Sequence, residues 1–286
     1  MSRGDALSKE GAVSLPLRIL PPALLATRGS LLGGRNSARL IERHARAYRH
    51  SWLMLASGVI EPVFYLLSIG IGIGALVGHV TGPSGQPIDF TSFVAPGLLA
   101  TSSMNGAVMD STYNVFFRLK YAKLYDSALS TPLRSADVAL GEVGWALIRG
   151  GLYAISFLLV MVCMGLAHSW WTILALPAAL LIGFAFAGAG MASTTFMTSW
   201  QHFEFIQLAT LPMFLFSTTF YPLSVYPRGL QIAVECTPLY QGITLVRGLT
   251  LGAVGPALLW PVLYLTVMGL LGLALAGRRL DRLLLR

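Results

Sequence analysis

The stretch VALGEVGWALIRGGLYAISFLLVMVCMGLA (residues 138–167) decides the fold class, because its long apolar run carries only two charges, Glu142 and Arg149. About 20 largely apolar residues are enough for a helix to cross a bilayer. Outward from it, five more such segments can be drawn: 52–78, 93–117, 171–197, 203–221 and 256–276. Composition agrees: of 286 residues 55% are hydrophobic and only 11% charged, with a mean hydropathy of +0.68. The expectation is an all-α integral membrane protein with six transmembrane helices.

Basic residues set the expected orientation, since cytoplasmic flanks retain Lys and Arg. Nine of the twenty precede Trp52, four lie in the 118–137 connection (Arg118, Lys120, Lys123, Arg134), and four close the chain (Arg278, Arg279, Arg282, Arg286). Only Arg228 and Arg247 fall on the opposite side, and Arg149 lies within a span. Both termini are therefore expected in the cytoplasm, which requires an even number of spans. The net charge of +8 is read as a topology signal and an attraction to anionic lipid, not as a nucleic-acid footprint.

Residues 1–35 lack a continuous apolar core of the signal-peptide kind, being broken by Pro16, Arg18, Pro21 and Pro22, and read as a flexible cytoplasmic tail. From 36 to 51 the pattern changes. Leu40, Ile41, His44, Ala45, Tyr48 and Trp52 share one helical face while Arg39, Arg43, Arg46 and Arg49 take the other, the pattern of a helix lying in the membrane interface.

Several chemistries find no support. Cys163 and Cys236 have neither metal nor redox spacing, and the five histidines show no i, i+4 pairing with an acidic ligand nearby. No nucleophile elbow is present. The glycine run GIGIGALVG (70–78) lies inside an apolar span, where small residues permit close helix contact rather than cradle phosphate; GAGMAS (188–193) reads the same way. A Walker A loop needs Lys directly after Gly, but Lys9, Lys120 and Lys123 follow Ser8, Leu119 and Ala122. No catalytic, metal or cofactor site is expected, and any ATP dependence must come from another polypeptide.

Charges inside spans carry more information, because each costs roughly 2.5–3.5 kcal/mol at the bilayer centre unless paired or wetted. Glu61, Asp110, Glu142, Arg149 and Glu204 form this set. Arg149 lies deepest and is expected to pair with Glu61 or Glu204.

The connection KYAKLYDSALSTPLRSADVALGE (120–142) is charged where its flanks are apolar. Tyr121, Leu124, Tyr125, Ala128 and Leu129 follow an i, i+3, i+4, i+7, i+8 stripe, with Lys123 and Asp126 among the residues covering the rest of the surface. Such a short amphipathic cytoplasmic helix, stopped by Pro132, suits either a docking partner or a simple interfacial anchor. Residues 222–255 are too broken by Pro and Gly to span, yet too apolar for an ordinary loop.

Three segments together carry a family resemblance: APGLLATSSMNGAVMDSTYNVFFRLKYAKLYDSALSTPLRSADVALGEVGWALIRGG (95–151), EPVFYLLSIGIGIG (61–74) and TPLYQGITLVRGL (237–249). From about residue 36 onward the chain resembles ABC-2 type permeases, in the branch of nodulation-factor exporters and daunorubicin-resistance permeases. The resemblance implies a six-helix transmembrane domain over 36–286, of the type V exporter kind. It would dimerise with a second copy or a paralogue in a bacterial inner membrane. Two copies of a separate ATPase, holding ATP and Mg, would drive export of an amphiphilic drug, lipid or glycolipid. In that frame 36–51 is a connecting helix, 118–134 the coupling-helix region, and 222–255 an outer hairpin that partly re-enters the membrane. The resemblance also makes Phe203, Phe205, Met213, Phe214 and Phe216 candidate lining of a substrate cavity.

Two other classes remain open on the residues alone. A secondary transporter would need buried ionisable residues forming an ion path, often with repeated halves, and no convincing repeat is visible. An integral membrane lipid-modifying enzyme would need converging acid, base or metal ligands. The substrate itself is not written in the sequence.

Overall fold

The computed structural model describes residues 41–42, 60, 63–82, 85–122 and 135–284. Helix α1, Val63–Val77, contains a π-helical stretch over Ser68–Ile73 and ends at Gly78, whose φ of 70° an L side chain rarely adopts. A short hairpin follows, β1 (His79–Thr81) antiparallel to β2 (Pro87–Asp89), with Val80 opposite Ile88. This hairpin is the one departure from an all-helical chain among the described residues, and the helical reading of the sequence did not anticipate it.

Helix α2 runs unbroken from 90 to 120: an α segment Phe90–Met109, a π turn Asp110–Asn114, and a further α segment Val115–Lys120. Phe93 to Thr101 are all buried, so α2 is an inner helix, enclosed on every side over its first half. Around it stand α3 (Ser135–Cys163), α4 (Ala175–Thr194, entered through a 3-10 turn Trp170–Leu174) and α7 (Pro238–Leu251), while α8 (Leu259–Leu284) packs on α4 and α3. The three segments Asp137–Cys163, Trp170–Thr194 and Pro256–Leu283 are each long and apolar enough to cross a membrane. Leu99, Met104, Phe157, Met161, Ile182, Met191, Leu239, Ile243 and Leu265 form the centre of one continuous core.

The α4–α8 crossing is the closest in the bundle. A Cβ placed on Gly272 would lie 2.4 Å from the carbonyl carbon of Gly188, and one on Gly188 would lie 2.6 Å from the Gly269 carbonyl oxygen. Backbone therefore meets backbone, as small residues allow between apolar helices. The 188–193 patch thus has a definite partner, the glycines of α8.

Helix α5, Phe203–Phe216, is shorter than the 203–221 span expected from hydropathy. It stops at Ser217, because Thr218 adopts φ 63°, a left-handed conformation that no helix continues through. Two further helices, α6 (Arg228–Glu235) and α7 (Pro238–Leu251), occupy the Pro-punctuated region. The Thr237 hydroxyl caps α7 by accepting from the Tyr240 backbone N–H, and Pro238 occupies the first turn, where its missing N–H is harmless. Unlike a surface loop, α7 is buried along most of its length, with Leu239, Ile243, Val246 and Leu249 in the core.

The bundle has two distinct ends. One gathers Phe116, Phe196, Trp200, Phe203 and Arg279, whose guanidinium sits 3.7 Å over the Phe196 ring. At the other, the His168 N–H donates to the Thr250 carbonyl, and Thr81, Thr218, Arg247 and Ala253 surround one cavity.

Candidate functional site: a charged seam beside the 121–134 connection

Four of the charges in the apolar segments meet between α2 and α3. Arg149 on α3 donates to Asp110 on α2, and Arg118 on α2 donates to Glu142 on α3. Asp110 and Glu142 are only 7% and 6% exposed, so both acids are removed from solvent, while the Arg118 and Arg149 side chains keep 14% and 13% of their surface. The spacing explains why two pairs close at once. Asp110 and Arg118 are eight residues apart and Glu142 and Arg149 seven apart, rises of roughly 12 and 10 Å that match on antiparallel helices. The signs alternate, acid then base along α2 and acid then base along α3, so only the antiparallel register brings opposite charges together.

The π turn shapes this seam. It begins at Asp110, and Asn114 donates to the same carboxylate oxygen at 2.8 Å. A π turn leaves backbone carbonyls without their usual i+4 donors. Here the Thr194 hydroxyl of α4 lies 3.0 Å from the Ser111 carbonyl and 2.9 Å from that of Gly190, within reach of either acceptor. Gly190 makes room at the contact, since a Cβ there would fall 2.1 Å from Ser111 Oγ and force that hydroxyl to rotate. Helix α4 thus holds the widened turn that presents Asp110 to Arg149.

This geometry gives Arg149 a partner that the sequence reading did not name, Asp110. Glu204 is exposed in the first turn of α5 and makes no ion pair with another described residue, and Glu61 lies outside the described residues. Asp110 takes the role because the antiparallel crossing of α2 and α3 places it opposite Arg149. Arg118 entered the sequence reading only as a topology charge. Its spacing from Asp110, matched by that of Glu142 from Arg149, was the signal that could have paired all four.

The seam flanks the connection between α2 and α3. Tyr121 is exposed at its start, 5.7 Å from the Phe117 ring, while Lys123, Leu124, Tyr125, Asp126, Ala128 and Leu129 lie outside the described residues. On the α3 side, Ile41 packs so closely that a Cβ on Gly144 would sit 2.9 Å from Ile41 Cδ1. Ile41, one of the residues expected on the apolar face of 36–51, therefore sits against α3 two residues from Glu142.

The five residues proposed as cavity lining divide. Phe203 is buried, stacked 4.1 Å from Tyr113 and edge-on to Phe116 at 5.2 Å, with Trp200 completing the group. It is core, not lining. Met213 and Phe214 are half-buried against the main core, whereas Phe205 and Phe216 are exposed together with Leu208, Leu211 and Leu215.

Arg247 is a residue that periodicity could not place. Only 7% exposed at the far end of the bundle, it donates from Nε to the Phe93 carbonyl at 3.2 Å and from Nη2 to the Thr218 carbonyl at 2.8 Å. Its guanidinium also covers the Phe93 ring at 3.8 Å. One side chain joins α7, the start of α2 and the turn after α5.

Residues 38–251 match the ABC-2 type transporter family. The chain belongs to that family. It is 31% identical over 256 residues to Nodulation protein J of Rhizobium leguminosarum bv. viciae, covering 87% of this chain and 97% of the relative. The protein of the same name from R. leguminosarum bv. trifolii is 33% identical over 223 residues, covering 77% and 83%, and that from Sinorhizobium fredii is 36% identical over 195, covering 68% and 72%. The chain is accordingly a membrane subunit of a transporter and not an enzyme. The match takes in both ion pairs and Arg247 and ends at the last residue of α7.

Proposed function

We propose that this chain is the transmembrane permease of an ATP-driven exporter that moves an amphiphilic molecule (a drug, lipid or glycolipid) out of the cytoplasm or the inner leaflet. Six segments cross the inner membrane, with both termini and the 118–134 region in the cytoplasm and α6–α7 forming a hairpin that re-enters from outside. Two permease chains and two copies of a separate ATPase make the working unit. The ATPase carries ATP and Mg, for which this sequence offers no P-loop lysine.

One observation carries the mechanism: the two helices that flank the 121–134 connection are tied together by two buried ion pairs within a few turns of it. Buried pairs resist separation, because pulling one partner away leaves an uncompensated charge in a low dielectric. A push on a helix formed by Tyr121, Leu124, Tyr125, Ala128 and Leu129 would therefore move α2 and α3 as one body. Inner helix α2 would carry that displacement into the core. The exposed apolar side of α5 and the matching exposure of Phe64, Tyr65 and Leu76 on α1 are the faces on which a second copy or bilayer lipid would lie.

The test is reconstitution of the permease with and without a candidate partner ATPase, measuring efflux of a fluorescent amphiphile from vesicles. ATP-dependent efflux only with both chains supports the reading. Transport by this chain alone, driven by an ion gradient, would replace it with secondary transport.

A further inference from the structure

The surroundings of Arg247 are built for something absent from the chain itself. A guanidinium has five N–H donors. Nε and Nη2 are spent on the carbonyls of Phe93, Thr218 and Thr219, while Nη1 donates to no described residue. No carboxylate answers the charge either. Helix α7 contains no Asp or Glu, Asp89 at the head of α2 is exposed and lies against His79, and Glu235 opens onto a different cavity beside Cys236 and Trp260. Arg247 is thus a cation 7% exposed with no counter-ion among the described residues. The three carbonyls and the Phe93 ring offset part of the cost of burying that charge, and an arriving anion would offset more.

A space for one adjoins it. Arg247 lines a cavity of about 420 Å³ together with Thr81, Thr218, Tyr240 and Thr244. Thr218 is only 2% exposed, and its Oγ1 is buried without a hydrogen-bond partner. A β-branched residue at φ 63° is strained, so the turn at this edge of the cavity is held against local preference. Gly97 lets the 218–219 backbone come close to α2, since a Cβ there would lie 3.2 Å from Thr219 Cα.

We propose that this cavity binds the oxyanion of an amphiphile, a phosphate, sulfate or carboxylate, against the Arg247 guanidinium and the hydroxyl-bearing side chains of Tyr240 and Thr244 that share its lining. Guanidinium and hydroxyl donors suit such a group, and the apolar wall of Phe93, Leu223 and Leu258 suits the chain attached to it. The inference goes beyond the export reading: binding is measured on the permease itself and stands whether or not the ATPase drives transport.

The purified full-length chain in dodecyl maltoside is titrated with octyl phosphate, octyl glucoside and inorganic phosphate, following the unfolding temperature. Octyl phosphate is expected to raise it saturably and octyl glucoside not at all. Thr244→Val, which keeps the shape and removes a hydroxyl of the cavity lining, should weaken the apparent affinity about tenfold. Thr244→Glu places a carboxylate one turn from Arg247 and should abolish the response while leaving Arg247's carbonyl contacts intact. Vesicles with and without phosphatidylglycerol separate the sources: protection by that lipid identifies a bilayer headgroup, and its absence beside an octyl phosphate response identifies another amphiphile. No saturable response in the wild type, equal responses in both variants, or inorganic phosphate acting as well as octyl phosphate would each overturn the proposal.

Discussion

Arg149 on α3 donates to Asp110 at the first residue of the π turn in α2, and about two turns away Arg118 and Glu142 repeat the contact with their helices exchanged. Either pair alone would fix a point. Together they fix the relative direction and register of the two helices, because a one-turn slip would bring Arg118 toward Arg149 or strand both acids. Specification of register is the best-attested use of buried ionic groups.

Breaking one pair should therefore cost more than losing a surface ion pair. Arg149→Ala leaves Asp110 buried beside an empty position, with an expected loss of about 3–5 kcal/mol of stability. The exchange Asp110→Arg with Arg149→Asp restores opposite charges and should recover part of it, while Glu204→Gln, on the surface of α5, should change little. Thermal unfolding in detergent reads all three. Single variants as stable as the wild type would remove the seam's structural role.

The α4–α8 crossing gives a second expectation. A methyl group on Gly272 meets the backbone of Gly188 and Ala189, which cannot rotate aside, so Gly272→Ala should destabilise by at least about 1–3 kcal/mol. Gly229 on α6 has nothing within 4 Å of an added Cβ, and Gly229→Ala should be neutral or stabilising by up to about 1 kcal/mol. The folded yield of the two variants, compared by size-exclusion profile, checks the contrast.

What was legible in the sequence follows from range. Long apolar runs need no partner to be recognised, so the segments of α3, α4 and α8 could be drawn directly, and the prolines at 222, 227 and 238 marked the two short helices. Pairings could not be drawn the same way. The partner of Arg149 depends on which helix crosses α3 and in which direction, information carried by packing against α4 rather than by any local pattern. The early end of α5 was hidden for a related reason: hydropathy continues through Phe220, while the backbone turns at Thr218 to meet Arg247. Phe203 looked like its neighbours on a hydrophobicity scale, and only the ring of Tyr113 beside it makes it core.

That last distinction separates stability from transport. Phe203→Ala removes a buried ring packed on Tyr113 and Phe116 and should cost about 3–5 kcal/mol. Phe205→Ala, on the exposed side of α5, should leave the unfolding temperature within the small range of surface changes, about 0.5 kcal/mol or less. If that exposed side meets substrate or a second copy, efflux or dimer content should fall for Phe205→Ala with stability intact. A stable, dimeric, fully active Phe205→Ala would assign the face to lipid.

The 121–134 connection supplies the sharpest test of how energy enters. Its stripe of Tyr121, Leu124, Tyr125, Ala128 and Leu129 is apolar on a chain whose neighbouring surface is charged, and the helices on both sides are locked by the seam. An amphipathic helix that docks in a groove contributes through its apolar face. Tyr125→Asp with Leu129→Asp should therefore leave insertion and thermal stability unchanged, since neither is one of the four charges that pair between α2 and α3. The ATPase should still hydrolyse ATP, but efflux per ATP should fall at least tenfold. Loss of one docked aromatic or leucine anchor is worth about 2 kcal/mol or more at a protein interface, so two would suffice. Normal efflux from the double variant would reduce this helix to an anchor on the membrane surface and leave the seam as a purely structural device.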